Sequence, residues 1–393
     1  SQPSIHLPRS VNLSSIKTGS SLLSRFSFSA KKSSSGYNWM LYRETGQFKT
    51  SYKGDMAIFT IRQDRWALIA VLVFVVIGVP LIASQHVIAG YLVPFLIWSL
   101  AAIGLNILTG YTGQLSLGHG AFMAVGAYSA YNLAARVPEL PIILVFLLAG
   151  LIAAVFGILV GSPSLRIKGF YLAVATLAAQ FFVEWVFATY PWFVGGAASM
   201  VIDTPPMDIF GYRISSHLDN YYLVAGFVVV GALFAKNLVR SEIGRAWMAI
   251  RDMDVAAEVI GIRPLYTKLS AFAVSSFYGG VAGALYAFCY VKSVDFTAFD
   301  LFVSLKVLFM VIIGGMGSIL GCFLGAAFIV ILPIVLNEIA HLFAGQVPSA
   351  LLTNLEHMIF GGLIIFFLIV EPHGLARLWT TMKEKLRLWP FPH

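Results

Sequence analysis

Charge is what this chain has least of. Only 11% of its 393 residues are Asp, Glu, Lys or Arg, against roughly a quarter in soluble domains. With 59% hydrophobic residues and a mean hydropathy of +0.83, the chain reads as an all-α integral membrane protein. Cysteine is nearly absent. Cys289 and Cys322 are the only two, both inside apolar runs, and they read as small core residues rather than a disulfide or metal pair. The motifs of several chemistries are missing as well. There is no G-x-x-x-x-G-K-[ST] loop for nucleotide phosphates, no H-E-x-x-H pair and no G-x-S-x-G elbow. His86, His119, His217, His341, His357 and His373 stand singly, without metal-ligand spacing. No catalytic residue and no metal ligand is therefore expected. The net charge of +8 does not indicate nucleic acid, because the bases sit at the ends of apolar spans, where the positive-inside rule puts them.

What is present is a series of about ten transmembrane helices, each near the ~20 residues that cross a bilayer. The expected spans are 66–83, 91–109, 114–133, 142–161, 170–190, 221–236, 269–290, 301–313, 318–338 and 357–370. Loops on one side carry Arg62 and Arg65, then Arg166 and Lys168, then a cluster over 240–268, and finally Arg377, Lys383, Lys385 and Arg387 in the tail. The other side has only Arg136, Arg213 and Lys292. That bias puts both termini in the cytoplasm. Before the spans, residues 1–39 are Ser-rich with five bases and no acid, the composition of a disordered or transit-like leader, or of an extension foreign to the membrane unit, since Met40 would be a natural start. The expected organisation is therefore 1–39 leader, 40–65 cytoplasmic segment, 66–378 transmembrane domain with a loop at 237–268, and 379–393 cytoplasmic tail.

Two of the spans are interrupted. Thr109-Gly110-Tyr111-Thr112-Gly113-Gln114 separates the second from the third, and Gly314-Gly315-Met316-Gly317-Ser318 the eighth from the ninth. Two readings are open. The breaks are tight turns, or they are non-helical backbone lining a transport path, one in each half of the chain.

The interval Arg240–Lys268 is the longest charged stretch between spans. Asp252 or Asp254 is placed to cap a short helix with body Val255–Ile260. Gly261 supplies its stop, and Pro264 prevents continuation. A stiff helix with small residues on a cytoplasmic loop is a device for receiving force from another protein. Within the spans, Glu184 is costly unless paired or facing water, and His119 lies among glycines that allow close helix approach. Each is a packing group or a path residue. Asn106, Gln114 and Ser116 flank the first break and either support its freed backbone or line the path, as do Gly314 and Gly315 at the second. Lys306 is expected to snorkel outward. The small residues Gly118, Gly120, Ala121, Ala124, Gly126 and Ala127, and Gly321, Gly325 and Ala326, suit close helix packing and mark no site.

The run Gly110-Tyr111-Thr112-Gly113-Gln114-Leu115-Ser116-Leu117-Gly118-His119-Gly120-Ala121-Phe122 resembles the signature of LivM/LivH-type permeases, the membrane subunits of branched-chain amino acid ABC importers. Three further stretches are similar to that family: Gly244-Arg245 through Ala249-Ile250-Arg251-Asp252 with Ala256-Ala257-Glu258-x-x-Gly261, then Gly314–Ile319, then Glu371-Pro372-His373-Gly374-Leu375. The start at Met40–Glu44 resembles some LivM-type chains, so the likeness covers about 40–378. It implies a permease subunit of an ABC importer in the bacterial inner membrane, moving a branched-chain or related amino acid inward. Its implied partners are a LivH-type second permease, two ABC ATPase subunits that bind ATP and Mg, and an extracytoplasmic solute-binding protein. No cofactor is implied on this chain.

It also implies that Gly244, Arg245, Arg251, Asp252, Asp254, Ala256, Ala257, Glu258 and Gly261 belong to the ATPase-coupling segment. The general EAA motif has Glu where this chain has Val255, and Asp254 comes one residue early. Related systems carry urea, short amides or aromatic acids. From outside the family, an ion-coupled secondary transporter would rest on Glu184 alone and leave the helix at 255–260 unexplained. A membrane enzyme lacks any catalytic constellation.

Overall fold

The computed structural model of the protein describes residues 66, 69–70, 72–164, 170–194, 201–209, 211–214, 216–344, 358–359, 361–362, 365–366, 369 and 374–388. The chain divides into units 1–48 and 49–393, and every described residue belongs to the second. The leader, the segment 40–65 with Arg62 and Arg65, the bases Arg166 and Lys168, half of the span at 357–370, Glu371–His373, and the side chains of Lys383, Lys385 and Arg387 lie outside the described residues.

After helical turns at Phe74–Gly78 and Val79–Ile82, the chain forms eleven labelled helices. They are α1 (Gln85–Tyr111), α2 (His119–Arg136), α3 (Ile142–Ser164), α4 (Phe170–Thr189), α5 (His217–Arg240), α6 (Glu242–Asp252), α7 (Asp254–Val259), α8 (Pro264–Val291), α9 (Leu301–Gly314), α10 (Ile319–Ala344) and α11 (Gly374–Leu388). Two short antiparallel pairings, Ile202–Asp203 with Ser293–Val294 and Met207–Ile209 with Tyr212–Ile214, gather the loops at one end. Among the described residues six helices are long and apolar enough to cross a membrane: α1, α3, α4, α5, α8, and Phe296–Gly314, which contains α9. A shorter apolar helix runs over Ile319–Val335. The structure thus gives a mostly helical, multi-pass bundle, and the count of about ten spans is not reached by the described residues.

Packing divides the helices into an inner and an outer set. Most of α1 and α8 is buried, and α8 lies against α1, α2 and α3 while α10 closes on α1 and α9. The small residues of α2 work as their pattern implied. A Cβ on Gly126 would lie 2.1 Å from the Gly280 carbonyl, and one on Gly283 would lie 2.0 Å from the Met123 carbonyl. Glycine is what lets α2 and α8 touch backbone to backbone, and such contact drives association in lipid, where apolar side chains gain nothing by leaving their surroundings. The outer helices turn apolar side chains outward instead, as in Val155 (59% exposed) and Leu159 (65%) of α3. Both cysteines are buried and free.

Three expectations are corrected. The third span does not begin at Gln114. Residues 113–118 are irregular, with Gln114, Ser116 and Gly118 buried, and the helix starts at His119, because Gly113 takes φ +69° and the chain turns before it coils. Lys306 does not snorkel outward. Its Nζ lies 5.2 Å from the ring of buried Trp98, a cation–π contact that turns the ammonium into the bundle. Neither Asp252 nor Asp254 caps α7. Met253 holds that position without a side-chain bond, because Asp252 pairs with Arg251 at 3.0 Å and Asp254 with Lys268 Nζ at 2.6 Å. The other end of α7 is as expected. Gly261 takes φ +91°, Ile262 N donates to Ala257 O and Gly261 N to Glu258 O, both at 3.0 Å. This is the Schellman pattern that glycine permits.

Candidate functional site

The two breaks lie against each other. Helix α1 loosens into a π-helical turn at Ile107–Tyr111, the kind of irregularity that collects at functional sites. The carbonyls freed there are taken up locally. Thr109 Oγ1 donates to Leu105 O at 2.9 Å and Thr112 Oγ1 to Leu108 O at 2.5 Å. Leu108 O also accepts from Gln114 N at 3.0 Å, and Gln114 Nε2 donates to Thr112 Oγ1 at 2.9 Å. From one turn earlier, buried Asn106 spans to the second break: Nδ2 donates to Ser318 O at 3.2 Å, and Oδ1 accepts from Gly317 N at 2.8 Å. Both ends of one carboxamide are therefore spent on holding two distant segments together. Gly110 makes the approach possible, since a Cβ there would fall 2.1 Å from Asn106 Oδ1 and 2.3 Å from Gly317 N. At the second break Gly315 N returns to Val311 O and Ser318 Oγ accepts from Gly321 N. Gly374, which opens α11, packs directly on Gly314 and Gly315.

Arg251 joins this junction from outside the spans. Its Nη1 donates to Gly110 O at 3.1 Å, while Nε and Nη2 both reach Asp252 Oδ1 at 3.0 Å. The arginine is held by an amphipathic helix. In α6 the residues Gly244, Trp247 and Ile250 are buried, three residues apart, and form the inward stripe. Trp247 Nε1 donates to Ser270 Oγ of α8 at 2.9 Å. Glu242 in the first turn and Arg251 in the last complement the helix dipole.

The remaining residues of the 244–261 set divide by exposure. Gly244 is packed on the Val239 carbonyl and Ala257 is buried, so these two fit the segment to the bundle. Arg245 donates to Arg240 O. Ala256, Glu258 and Gly261 are exposed. So are the apolar Val255 (69%), Val259 (83%) and Ile260 (73%).

A second polar group follows the start of α2. Gly118 N donates to Ser116 Oγ at 3.4 Å, Leu117 N to Thr176 Oγ1 at 3.0 Å, and Gly120 N to Ser304 Oγ at 2.8 Å. Ser304 Oγ donates to Gln180 Oε1 at 3.1 Å. Gln180 Nε2 donates to Phe299 O at 2.6 Å and to Glu184 Oε1 at 2.9 Å. Glu184 thus has a partner. His119 is fully buried, edge-on to Phe122 and over Gly279, and neither ring nitrogen has a well-formed hydrogen bond among the described residues.

The expected path residues therefore do not form one group. Asn106, Gly314 and Gly315 meet at the junction with Gln114 beside it, Ser116 and Glu184 follow the seam of α2, α4 and α9, and the His119 ring turns away from that seam onto Gly279 of α8. Thr176, Gln180 and Ser304 were missed. The first two had a signal, because Thr176, Gln180 and Glu184 repeat every four residues and so share one face of α4. No group of three or more His, Cys, Asp or Glu among the described residues is placed to hold a metal.

Comparison with known proteins gives a consistent result. Residues 87–368 match the family described as "Branched-chain amino acid transport system / permease component". The chain is 32% identical over 305 residues to the high-affinity branched-chain amino acid transport system permease protein LivM of Salmonella typhimurium, a match spanning 71% of this chain and 68% of that one. The LivM protein of Escherichia coli K12 matches to the same extent. A probable LivM from Methanocaldococcus jannaschii is 26% identical over 247 residues, 59% of this chain and 68% of the relative. No solved structure matches.

Proposed function

The chain belongs to the branched-chain amino acid transport permease family, a family of transport subunits and not of enzymes, and from that premise we propose that it is a membrane subunit of an ABC importer. It moves a branched-chain or related amino acid into the cytoplasm, using ATP and Mg bound by two separate ATPase subunits. A second permease completes the bundle, and an extracytoplasmic binding protein delivers the solute. Both termini and the α6–α7 loop face the cytoplasm.

The observation that carries this reading is the bond from Arg251 to the Gly110 carbonyl. It ties a segment outside the spans to the point where two broken helices meet. Helix α7 continues from that segment and exposes Val255, Val259 and Ile260 together. Each such side chain stands to gain roughly 1.5–3 kcal/mol on burial, which suits a groove on a soluble partner. When the ATPases close, α7 moves as a rigid body and Arg251 carries the displacement into the junction. A ligand or partner biases such a switch only through contacts that differ between the two states, and the Arg251 bond is a contact of that kind. The polar seam of Ser116, Gln180, Glu184 and Ser304 supplies the few polar groups that a zwitterion with an apolar tail needs along its way.

Val259→Asp is the test, because this side chain touches little of its own fold. In the complete complex, co-purification of the ATPase and uptake of L-leucine are both expected to fall at least about tenfold, the loss typical of a central interface residue. Unchanged uptake by a preparation with no ATPase bound would overturn the importer reading. A wild-type complex that takes up urea or aromatic acids but no leucine would keep the importer and replace the solute.

A further inference from the structure

Between α2, α3, α4 and the turn Pro191–Val194 lies a cavity of about 490 Å³. Its body is apolar, built from residues such as Val125, Phe156, Val183, Val186 and Phe187, and Arg136 is the single charged residue in its lining. Two side chains from the last turns of α2 hold the aromatic turn over it. Asn132 Nδ2 donates to Phe193 O at 2.9 Å. Arg136 Nη2 donates to Trp192 O at 3.2 Å while its guanidinium stacks on the Trp192 ring at 4.0 Å. The cavity opens sideways past Ile152 and Phe182, which line it and are exposed on the apolar outer faces of α3 and α4.

We propose that this cavity is a lipid site, taking an acyl chain of an anionic phospholipid with its phosphate on Arg136. Three observations favour that occupant. The opening gives onto the exposed apolar faces of α3 and α4, so with a bilayer against those faces an acyl chain reaches it without leaving the hydrocarbon. Arg136 and Trp192 stand where α2 ends and the chain turns back at Ile142, the interfacial level at which such residues gather. The guanidinium spends one of its five donors on Trp192 O, which leaves donors of its planar fork for a phosphate, a group whose geometry that fork matches. A helix of the second permease is too thick: at a diameter of about 10 Å, little more than one turn would fill the space. The proposal requires a bilayer around the chain and does not depend on the ABC reading.

The test uses the complete complex, delipidated and then exchanged into vesicles of phosphatidylglycerol in phosphatidylcholine, with retained lipid read by native mass spectrometry. Wild type is expected to retain phosphatidylglycerol over phosphatidylcholine. Arg136→Gln should lower that retention about tenfold, the worth of a charged hydrogen bond, and Arg136→Lys should restore part of it. Ile152→Trp, which narrows the opening from an exposed position, should lower retention of both lipids with the headgroup contact intact. Equal retention of phosphatidylglycerol by wild type, Arg136→Gln and Ile152→Trp would overturn the proposal. Efficient cross-linking of Ser129→Cys to the second permease would also overturn it, because the cavity would then be a subunit contact.

Discussion

Arg251 and Arg136 make nearly the same bond at opposite ends of the molecule. Each stands in the last turn of a helix and gives one guanidinium N–H to a backbone carbonyl, at 3.1 Å and 3.2 Å. The carbonyls differ. The one met by Arg251 belongs to Gly110, in the π-helical turn where α1 comes apart against the second break. The one met by Arg136 belongs to Trp192, on a short turn at the rim. The strength of a hydrogen bond therefore says little about its importance here. What matters is what the acceptor's element is joined to: Gly110 lies where Asn106 ties the end of α1 to Gly317 and Ser318, whereas the turn bearing Trp192 is held to the end of α2 by Asn132 and Arg136.

The largest effect expected from this comparison is on Arg251→Gln. The change leaves Gly110 O without its donor and Asp252 without its cation. A coupling contact of this kind is worth about 1–3 kcal/mol, or roughly 5- to 150-fold. Leucine uptake by the complex should fall by at least about tenfold while ATP hydrolysis persists, so that turnover and transport separate. Arg136→Gln should leave uptake within about twofold of wild type. If the two variants lost transport equally, or if Arg251→Gln lost none, the distinction between junction and rim would be wrong.

Asn106→Leu sharpens the same point from within the junction. Leucine matches asparagine in shape but loses both bonds, leaving Gly317 N and Ser318 O facing an apolar group. A buried group stripped of its partner costs about 1–3 kcal/mol, so the thermal midpoint of the purified complex should drop by several degrees. The Arg251 variant, whose side chain is partly exposed, should move it less. An Asn106→Leu protein as stable as wild type would mean that the breaks are held by packing alone.

How far these features could be read from the sequence depends on the distance over which each is determined. The six long apolar helices, the glycine turns after α1 and α9 and the stop at Gly261 are local, and hydropathy or a required positive φ reveals them. The partners of Asn106 and Arg251 are not local. Asn106 bonds residues more than two hundred positions away, and no periodicity connects them. Asp254 had a legible preference for capping, but Lys268 competes for the same carboxylate and wins. Lys306 was misplaced because snorkelling assumes an open route to the interface, whereas the ring of Trp98 offers a nearer one inside the bundle. The seam lay between these cases. The four-residue spacing of Thr176, Gln180 and Glu184 was visible, yet only the charged member drew attention.

The smallest expected effect separates two ways in which α6 can transmit force. Besides Arg251, α6 is tied to α8 by Trp247, whose Nε1 donates to Ser270 Oγ. Ser270→Ala removes that acceptor together with the bond that the same hydroxyl donates to Thr267 O within α8, at a cost of about 1–2 kcal/mol. Trp247 stays buried against α8, so the helix keeps its seat, and Arg251 keeps its carbonyl. Transport by the Ser270→Ala complex should match wild type within about twofold, with a small fall in thermal midpoint. If this variant instead uncoupled ATP hydrolysis as fully as Arg251→Gln, displacement would be passing through the α6–α8 contact. The arginine would then be one brace among several, since energetic coupling spread over a packed surface is sensitive to many small changes, whereas coupling through one bond is sensitive mainly to its own two partners.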